Sequence, residues 1–375
     1  MTKTRLLFVI PSLGSGGAER QMIELIKGLN KSIYDIRVII FESNNDRYSS
    51  ALIKMSIPVV LYKRLSRFDL SPLINTVRYI KSEDIDVVHT FLILGSLIGV
   101  IAARLSGVPV VCSSIREAKD PTQTRKYGNI MLSYISHYFV SNSQAGFDNR
   151  FKKQRKNFKV IYNGLDPSRF TINISKKEEL RQEFNIFKDD VVIGMVASLT
   201  PRKDFRTLIA VASHILKQNK NIKFLLVGEG SDRAMLEKLS VDMGVSSNVF
   251  FTGYRQDVDQ LINCFDILVL LTNEMQHSEG IPNTIIEAMG ACVPVIASVG
   301  GGTTEIVKDN HTGLLVSSGS INETCDAINK LINDKEINNA LVYTANKFVC
   351  ENLSITKYVS KYTELYNALI ESYLE

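Results

Sequence analysis

Two glutamates, Glu279 and Glu287, stand in the segment His277–Met289, which reads HSEGIPNTIIEAM. Pro282 favours the first turn of a helix, and the residues that follow make this helix apolar on almost every side. Glu287 is therefore a carboxylate on an otherwise buried element, and a buried charge is costly unless it is paired. Neutral hydroxyl groups, such as those of a ribose, would suit it. An internal salt bridge is the alternative that these residues leave open.

Two adjacent cations, Arg202 and Lys203, follow the apolar run 191–196, which we predict to be a buried strand. Positive charges just beyond the carboxyl end of a strand are well placed to balance the charge of a diphosphate. Charge-assisted contacts of this kind contribute roughly 1.5–3 kcal/mol each. Taken alone, two such adjacent cations are more often a solvated loop pair.

Glycines also follow predicted strands and precede predicted helices, first at 14–17 and again at 300–302. Glycine lets the backbone approach a ligand, and a helix N-terminus offers free N–H groups to an anion. Gly16 and Gly17 could serve in this way, although a plain turn before a core helix explains them too. A dinucleotide fingerprint would need a third glycine where Glu19 stands, so the residues give an NAD site only weak support.

The elements that must position these residues are short apolar runs alternating with segments of helical period, as in parallel sheets built from βαβ units. We predict strands at 6–10, 36–41, 59–61, 87–89, 108–112, 138–140, 160–162, 191–196, 224–227, 249–251, 267–271, 293–296 and 314–316. The polar stretch 166–177 is the expected linker. The chain should therefore form two Rossmann-like domains, 1–170 and 180–354, with a C-terminal helix at about 355–375 that packs back onto the first domain.

Length and composition agree with this organisation. A chain of 375 residues suits two domains, because single cores become uncommon beyond roughly 250 residues. A net charge of +5 is too small to indicate nucleic acid but fits an anionic substrate or membrane surface. Five cysteines without a CxxC pair indicate a reduced, cytoplasmic protein. The apolar stretch 91–103 is shorter than the roughly 20 residues that span a bilayer, so we expect peripheral membrane contact at most.

The order of these motifs resembles that of the family-4 glycosyltransferases, which are retaining enzymes with the GT-B fold. The resemblance covers nearly the whole chain and consists of GGAER (16–20), DVVH (86–89), SNS (141–143), Asn163, Gly164, Asp166 and Phe170 of an NG-D-F pattern, LVGEG (226–230), E-x7-E with EGIPN inside it, and GGxxE (301–305). It implies an α/β fold of two Rossmann-like domains that face each other across a cleft. It also implies transfer of a sugar from a nucleotide diphosphate to a glycan in bacterial surface-polysaccharide assembly.

The resemblance also implies roles for single residues. Lys203 would contact the diphosphate, Glu279 the transferred sugar and Glu287 the ribose hydroxyls. His89 would lie near the sugar of the nucleotide, although a histidine that ends a buried strand is often a satisfied core residue. Gly16 and Gly17 would lie near the phosphates. Further positions of the nucleotide-sugar site would be Ser198, Gly228, Gly253, Tyr254, Arg255, Gly280, Ile281, Asn283 and Thr284, with Tyr254 and Arg255 bordering the base.

One stretch departs from the family pattern. The family usually carries an arginine in a G-R-L stretch ahead of the lysine, where this chain reads Ala197-Ser198-Leu199. Our hypothesis is that Arg202 supplies the missing guanidinium as a catalytic residue.

We expect no metal or other cofactor. The two DxD strings, at 84–86 and 257–259, lead into a buried strand and open a helix, where acidic residues are common anyway. Arg202, Lys203 and helix N-termini can instead stabilise the charge that develops on the leaving phosphate. No carboxylate can be identified from the sequence as a nucleophile. By analogy with the family, we therefore expect the acceptor to attack the sugar on the same face that the phosphate leaves. We favour a UDP-sugar, with GDP-mannose next.

The acceptor is expected on the N-terminal domain, which carries two basic tracts at 116–126 and 150–159. The second contains no acidic residue and predicts contact with anionic lipid or a lipid-linked saccharide, unless it is simply a solvated helix face. Three alternatives stay open at this point. They are a nucleotide-sugar epimerase of GT-B architecture, an NAD-dependent oxidoreductase and a non-catalytic sugar-nucleotide-binding protein.

Overall fold

The computed structural model describes residues 3–14, 16–43, 47–66, 68–120 and 122–374. The chain divides into two compact units, Met1–Gly164 with Ile355–Glu375, and Leu165–Ser354. The polar stretch predicted as a linker lies inside the second unit, where it forms a 3-10 turn, Pro167–Phe170, and the beginning of a helix. Asp166 caps this turn by accepting a hydrogen bond from the backbone N–H of Ser168.

The first unit contains a seven-stranded parallel sheet in the order β3-β2-β1-β4-β5-β6-β7. Its strands are β1 (Thr4–Val9), β2 (Tyr34–Ile40), β3 (Val59–Leu61), β4 (Val87–Phe91), β5 (Val110–Ile115), β6 (Tyr138–Ser141) and β7 (Phe158–Val160). This is the Rossmann order, in which the direction of strand addition reverses between β1 and β4. Both central strands are buried on both faces, which explains why they appear in the sequence as apolar runs.

The described residues between these strands form the helices α1 (Gly17–Gly28), α2 (Ser49–Lys54), α3 (Ser71–Ser82), α4 (Ile93–Leu105), α5 (Gln123–Ile135) and α6 (Gln144–Asp148). Helix α1 buries Met22, Ile23, Leu25 and Ile26, the helical pattern that the sequence shows. One apolar cluster contains this face of α1, and a second contains residues of α4 on the other side.

The second unit contains a six-stranded parallel sheet in the order β10-β9-β8-β11-β12-β13. Its strands are β8 (Val191–Val196), β9 (Ile222–Val227), β10 (Val249–Gly253), β11 (Ile267–Leu270), β12 (Val295–Ser298) and β13 (Leu314–Val316). Its helices are α7 (Ile174–Glu183), α8 (Phe205–Ile215), α9 (Arg233–Asp242), α10 (Val258–Ile262), α11 (Asn283–Gly290), α12 (Thr303–Ile306), α13 (Ile321–Asn333) and α14 (Lys335–Asn352). This unit too has Rossmann strand order.

The last helix, α15 (Ile355–Leu374), belongs to the first unit. Tyr358, Tyr362 and Tyr366 are almost completely buried in the same apolar cluster as α1. Gly28 of α1 lies so close to Val359 that a Cβ at this position would collide with it.

The two Rossmann-like sheets confirm the predicted α/β fold class, and every predicted strand overlaps an observed one. The overlap is smallest for β7, Phe158–Val160, which shares only residue 160 with the predicted strand 160–162. Among the described residues, no helix combines the length and apolar character needed to cross a membrane.

Candidate functional site

Most of the predicted site residues of the second unit lie beyond the carboxyl ends of its strands. The loop after β8 carries Lys203, β9 leads into Gly228, β10 into Arg255, and β11 into the segment that contains Glu279. Since these strands are parallel neighbours, the loops meet at one edge of the sheet, where ligands of open α/β sheets bind.

Lys203 and Glu279 form a nearly buried ion pair at this edge. The Lys203 ammonium donates to Oε1 of Glu279, and the two side chains are only 15% and 11% exposed. Thr272 donates its hydroxyl to the same oxygen at 3.1 Å. The Nε2 atom of His277 lies 3.4 Å from Oε2. Backbone pairing between Lys203 and Thr272 holds the two loops together.

This cluster fixes the charge of Glu279. Burial by itself would raise the pKa of Glu279, but the neighbouring Lys203 and His277 hold that pKa well below its usual range. Glu279 is therefore an anion at neutral pH and can accept hydrogen bonds from hydroxyl groups. The Lys203 ammonium has three donor positions, so a second anion can share it with Glu279.

Glu287 lies on α11 and is only 2% exposed. The guanidinium of Arg169 approaches it, with Nη2 at 3.9 Å from Oε1. Arg169 also binds Asp259 through two hydrogen bonds, Nε to Oδ2 at 3.0 Å and Nη2 to Oδ1 at 2.6 Å. The internal salt bridge that the sequence left open is thus present. It does not conflict with a ribose contact, because a carboxylate has about four acceptor positions.

Glycines shape the loops around this edge. Gly228 has φ +142°, a conformation that L side chains rarely adopt, and a Cβ there would collide with the carbonyl oxygen of Ala197. Its N–H donates to the carbonyl of Gly253 at 2.9 Å. The ends of β8, β9 and β10 are therefore drawn together by a backbone approach that requires glycine.

The remaining predicted positions differ in accessibility. Gly280 and Ile281 are buried, whereas Asn283 and Thr284 are half-buried in the first turn of α11. Ser198 is exposed, with Oγ at 3.4 Å from Oγ1 of Thr200. The side chain of Arg202 is also exposed. That Arg202 replaces the missing family arginine stays a prediction.

The loop after β10 is fixed by charge. Arg255 donates to both carboxylate oxygens of Asp257 at 2.8 Å and also pairs with Glu183. These carboxylates raise the pKa of Arg255. The Arg255 guanidinium is thus engaged in holding the loop, whereas Tyr254 is 40% exposed. That these two residues border a base stays a prediction.

His89 lies elsewhere, in the core of the first unit. It is 0% exposed, its Nδ1 lies 2.6 Å from the Tyr366 hydroxyl and its Nε2 lies 2.8 Å from Oγ of Ser113. Burial and the charge of Arg116 keep the pKa of His89 well below its usual value. Both ring nitrogens are occupied by protein groups, so the structure places His89 as a satisfied core residue and gives the predicted sugar contact no support.

The predicted glycines of the first unit, Gly16 and Gly17, stand at the beginning of α1, while Ser15 lies outside the described residues. A Cβ on Gly16 would collide with the carboxylate of Glu19, which is folded back over the turn. Burial raises the pKa of Glu19, opposed by a hydrogen bond to its own backbone N–H and by the charge of Arg116.

Two family models match the chain. The model described as "Glycosyl transferases group 1" matches residues 176–348, which include Lys203, Glu279 and Glu287. The model described as "Glycosyltransferase Family 4" matches residues 15–169. This chain belongs to the family-4 glycosyltransferases. It is therefore an enzyme of sugar transfer, as the resemblance predicts.

Relatives of this glycosyltransferase span most of its length. UDP-Gal:alpha-D-GlcNAc-diphosphoundecaprenol alpha-1,3-galactosyltransferase of Escherichia coli is 25% identical over 93% of this chain and 93% of its own. A GDP-mannose-dependent alpha-(1-6)-phosphatidylinositol monomannoside mannosyltransferase of Mycobacterium tuberculosis is 28% identical over 62% and 58%. The crystal structure of Anabaena HepE in complex with UDP-glucose superimposes with a TM-score of 0.84 at 22% identity, covering 97% of this chain and 99% of that one. This last likeness confirms the GT-B fold.

The sequence analysis did not identify several polar residues that contact the predicted site residues in the structure of this glycosyltransferase. Thr272 and His277 complete the Glu279 cluster, and Arg169 joins Asp259 to Glu287. Arg169 lies between Asp166 and Phe170 of the NG-D-F pattern, so the sequence motif includes its neighbours but not Arg169 itself. No local pattern could have paired it with residues that are far away in the sequence.

The DxD strings have ordinary structural partners in this glycosyltransferase. Asp84 forms an ion pair with Arg5 at 2.9 Å, and Asp86 accepts from the backbone N–H of Arg5 at 2.7 Å. In the second string, Asp257 binds Arg255 and Asp259 binds Arg169. The second pair of aspartates thus orders arginines at the carboxyl edge of the sheet.

Proposed function

We propose that this glycosyltransferase takes its sugar from a nucleoside diphosphate donor, with UDP favoured, and transfers it to a saccharide acceptor in bacterial surface-polysaccharide assembly. The observation that carries the proposal is the buried pair of Lys203 and Glu279 at the same sheet edge as Glu287. One cation for a diphosphate and two carboxylates for hydroxyl groups match the chemistry of a nucleotide sugar. The E. coli relative that uses UDP-Gal and the Anabaena structure with UDP-glucose support UDP. Because the mycobacterial relative is GDP-mannose-dependent, GDP is the alternative nucleotide.

The proposed mechanism uses Lys203 to stabilise negative charge on the departing diphosphate. Its ammonium is already held in place by Glu279, so little reorganisation is needed when the charge develops. Arg202, exposed on the same loop, can add a second cation. Glu279 would orient hydroxyls of the transferred sugar. We propose that the acceptor attacks from the face that the diphosphate leaves, which retains the anomeric configuration.

We also propose that transfer proceeds without a metal ion. In many other glycosyltransferases a metal neutralises the diphosphate, whereas here we propose that Lys203 and Arg202 balance that charge. The binding of Asp257 and Asp259 to arginines supports this view, because it gives the second DxD string a structural role.

Turnover of nucleotide sugars tests the reaction. The enzyme is incubated with UDP-galactose, UDP-glucose, UDP-N-acetylglucosamine or GDP-mannose, with and without EDTA, and proton NMR follows the anomeric signal. We expect one compound to release nucleotide and sugar of unchanged anomeric configuration in either condition, and Lys203→Ala to lose at least about a hundredfold in rate. Lys220→Ala, on an exposed turn of the same unit, is the matched control. Inverted product, dependence on a metal or simple epimerisation would contradict the proposal.

The acceptor is proposed to bind the first unit near Arg116, which follows β5. Its Nη1 donates to Asn163 at 3.3 Å and its guanidinium lies 4.9 Å from the centre of the Phe91 ring. The guanidinium also interacts with the Tyr358 hydroxyl, and Arg116 as a whole is half-buried. A half-buried arginine can donate N–H groups to the oxygen atoms of a saccharide. Arg116→Lys should raise KM for the acceptor more than KM for the nucleotide sugar.

A lipid-linked acceptor and contact with an anionic membrane form the last part of the proposal. Arg150 does not contribute, because it is buried and binds Asp120 and three backbone carbonyls. Lys152, Lys153 and Lys156 are exposed. Next to them, the Arg155 guanidinium stacks at 3.6 Å over Tyr134 of α5.

The exposed side of α5 adds apolar groups to these cations, since Tyr127 is 67%, Met131 41% and Tyr134 70% exposed. Cations beside aromatic side chains suit an anionic lipid surface, at about 1 kcal/mol per charge. We expect the enzyme to sediment with phosphatidylglycerol vesicles and expect a higher salt concentration to reduce the amount that is bound. Replacing Lys152 and Lys153 by glutamine should weaken it too, whereas binding indifferent to both changes would contradict membrane contact.

A further inference from the structure

Arg169 links two carboxylates of the second unit that lie far apart in the sequence. It belongs to the 3-10 turn Pro167–Phe170, with a side chain 16% exposed. Its guanidinium binds Asp259 of α10 through two hydrogen bonds, at 3.0 and 2.6 Å. The same Nη2 lies 3.9 Å from Oε1 of Glu287 on α11.

The geometry of these two contacts differs. The bond to Asp259 is bidentate, which fixes both the position and the plane of a guanidinium. The contact with Glu287 is longer than a hydrogen bond, so it acts by charge attraction. Asp259 therefore holds Arg169, and Arg169 in turn places a fixed positive charge beside the buried Glu287.

We infer that Arg169 is a positioning residue for Glu287, held in place by Asp259, and that through Glu287 it sets the preference of the enzyme for a ribonucleotide. The inference rests on the proposed function, in which Glu287 holds the ribose hydroxyls. Loss of the guanidinium would remove a positive charge from beside this 2% exposed carboxylate, and the Glu287 side chain could then take another rotamer. That change would weaken its bonds to hydroxyls while leaving contacts with the diphosphate and the base in place.

The test compares the affinities of UDP and 2′-deoxy-UDP by isothermal titration calorimetry, because a residue with only a structural role would weaken both equally. The wild-type enzyme should prefer UDP by about tenfold or more, the range of a hydrogen bond to a charged group. Arg169→Ala should reduce that preference to about twofold or less, mainly through weaker UDP binding. Arg169→Lys should give an intermediate preference, because lysine keeps the positive charge but cannot form the bidentate hydrogen bonds of a guanidinium.

Arg181→Ala is the matched control. Arg181 also holds a loop of the second unit, through the backbone carbonyls of Phe187, Lys188 and Asp190. Its loss should lower the thermal midpoint without changing the preference for UDP over the deoxy compound. If Arg169→Ala does not fold, Arg169→Lys and Asp259→Asn carry the test, since each keeps most of the side-chain volume.

Glu287→Gln distinguishes the positioning role of Arg169 from the ribose contact of Glu287, which belongs to the proposed function. A lost preference in Glu287→Gln together with a lost preference in the Arg169 variants supports the inference. If Glu287→Gln loses the preference and the Arg169 variants keep it, Arg169 is structural only and the inference fails while the proposed function stands. If Glu287→Gln keeps the preference, the ribose contact is wrong and both fail.

Discussion

Single residues in this glycosyltransferase carry charges that are placed before any substrate arrives. Glu279 is held as an anion by Lys203 and His277, although burial by itself would raise its pKa. Removing one partner of a buried pair is strongly destabilising, since it leaves a charge without compensation. The pair that is proposed to act on the diphosphate is therefore also expected to stabilise the fold.

Glu279→Gln should lower the free energy of unfolding by roughly 3 kcal/mol at neutral pH. The folded pKa of Glu279 lies below its unfolded value of about 4.3. The pair's contribution is thus fully present above that pH and is lost as the pH falls below it. Urea unfolding at a series of pH values measures the difference from wild type, which should be constant near neutrality and shrink in acid. Glu178→Gln, on an exposed part of α7, is the control variant. A constant difference down to acid pH would contradict the assigned charge state.

Secondary-structure elements place these residues through the carboxyl ends of parallel strands. The turn after β9 shows how closely the loops must approach, because Gly228 combines φ +142° with contact against the carbonyl of Ala197. Gly244 is a useful comparison. It has φ +69°, and a Cβ at this position would meet nothing within 4 Å.

Gly228→Ala should therefore cost about 3 kcal/mol or more, from backbone strain and from displacement of the Ala197 carbonyl. Gly244→Ala should cost only about 1–2 kcal/mol, the strain of a left-handed residue. Thermal denaturation of both variants measures the contrast. Equal losses would show that the close approach after β9 does not exist in solution.

The position of the strands and of the E-x7-E helix could be predicted from the sequence, because buried parallel strands and an apolar helix leave local patterns. The place of His89 could not, since the same strand-ending histidine can face a ligand or the core. Its hydrogen bond to Tyr366 joins β4 to a helix at the other end of the chain. Likewise, Arg169 and Asp259 are 90 positions apart, and only the fold brings them together.

The whole molecule consists of two units, and the chain returns to the first with α15. Tyr362 and Tyr366 of this helix are 0% exposed, and the Tyr366 hydroxyl lies 2.6 Å from His89. The first Rossmann-like core therefore includes side chains of α15. Its stability should depend on side chains that lie outside its own continuous segment.

Tyr366→Ala should destabilise the first unit by about 3–5 kcal/mol, as other large aromatic truncations in cores do. Tyr366→Phe should cost about 1–3 kcal/mol, because it leaves a buried histidine nitrogen without its partner. Hydrogen exchange measures both effects, and protection should fall in the first unit while the second keeps its own. Tyr343→Ala, at a side chain 70% exposed, is the control and should change neither. Unchanged exchange in Tyr366→Ala would mean that α15 is not part of this core.

Binding of a nucleoside diphosphate to the second unit through Lys203 and Glu287 can be measured by a thermal-shift comparison of UDP, GDP, ADP and NAD, with and without EDTA. A ligand at a hundred times its dissociation constant should add about 2.7 kcal/mol of stability. We predict that one nucleoside diphosphate, with UDP favoured, raises the thermal midpoint and that EDTA leaves this shift unchanged. The shift should disappear in Lys203→Ala and Glu287→Gln and should persist in Glu178→Gln. A shift with NAD alone, with no nucleotide, or undiminished in both site variants would contradict the account.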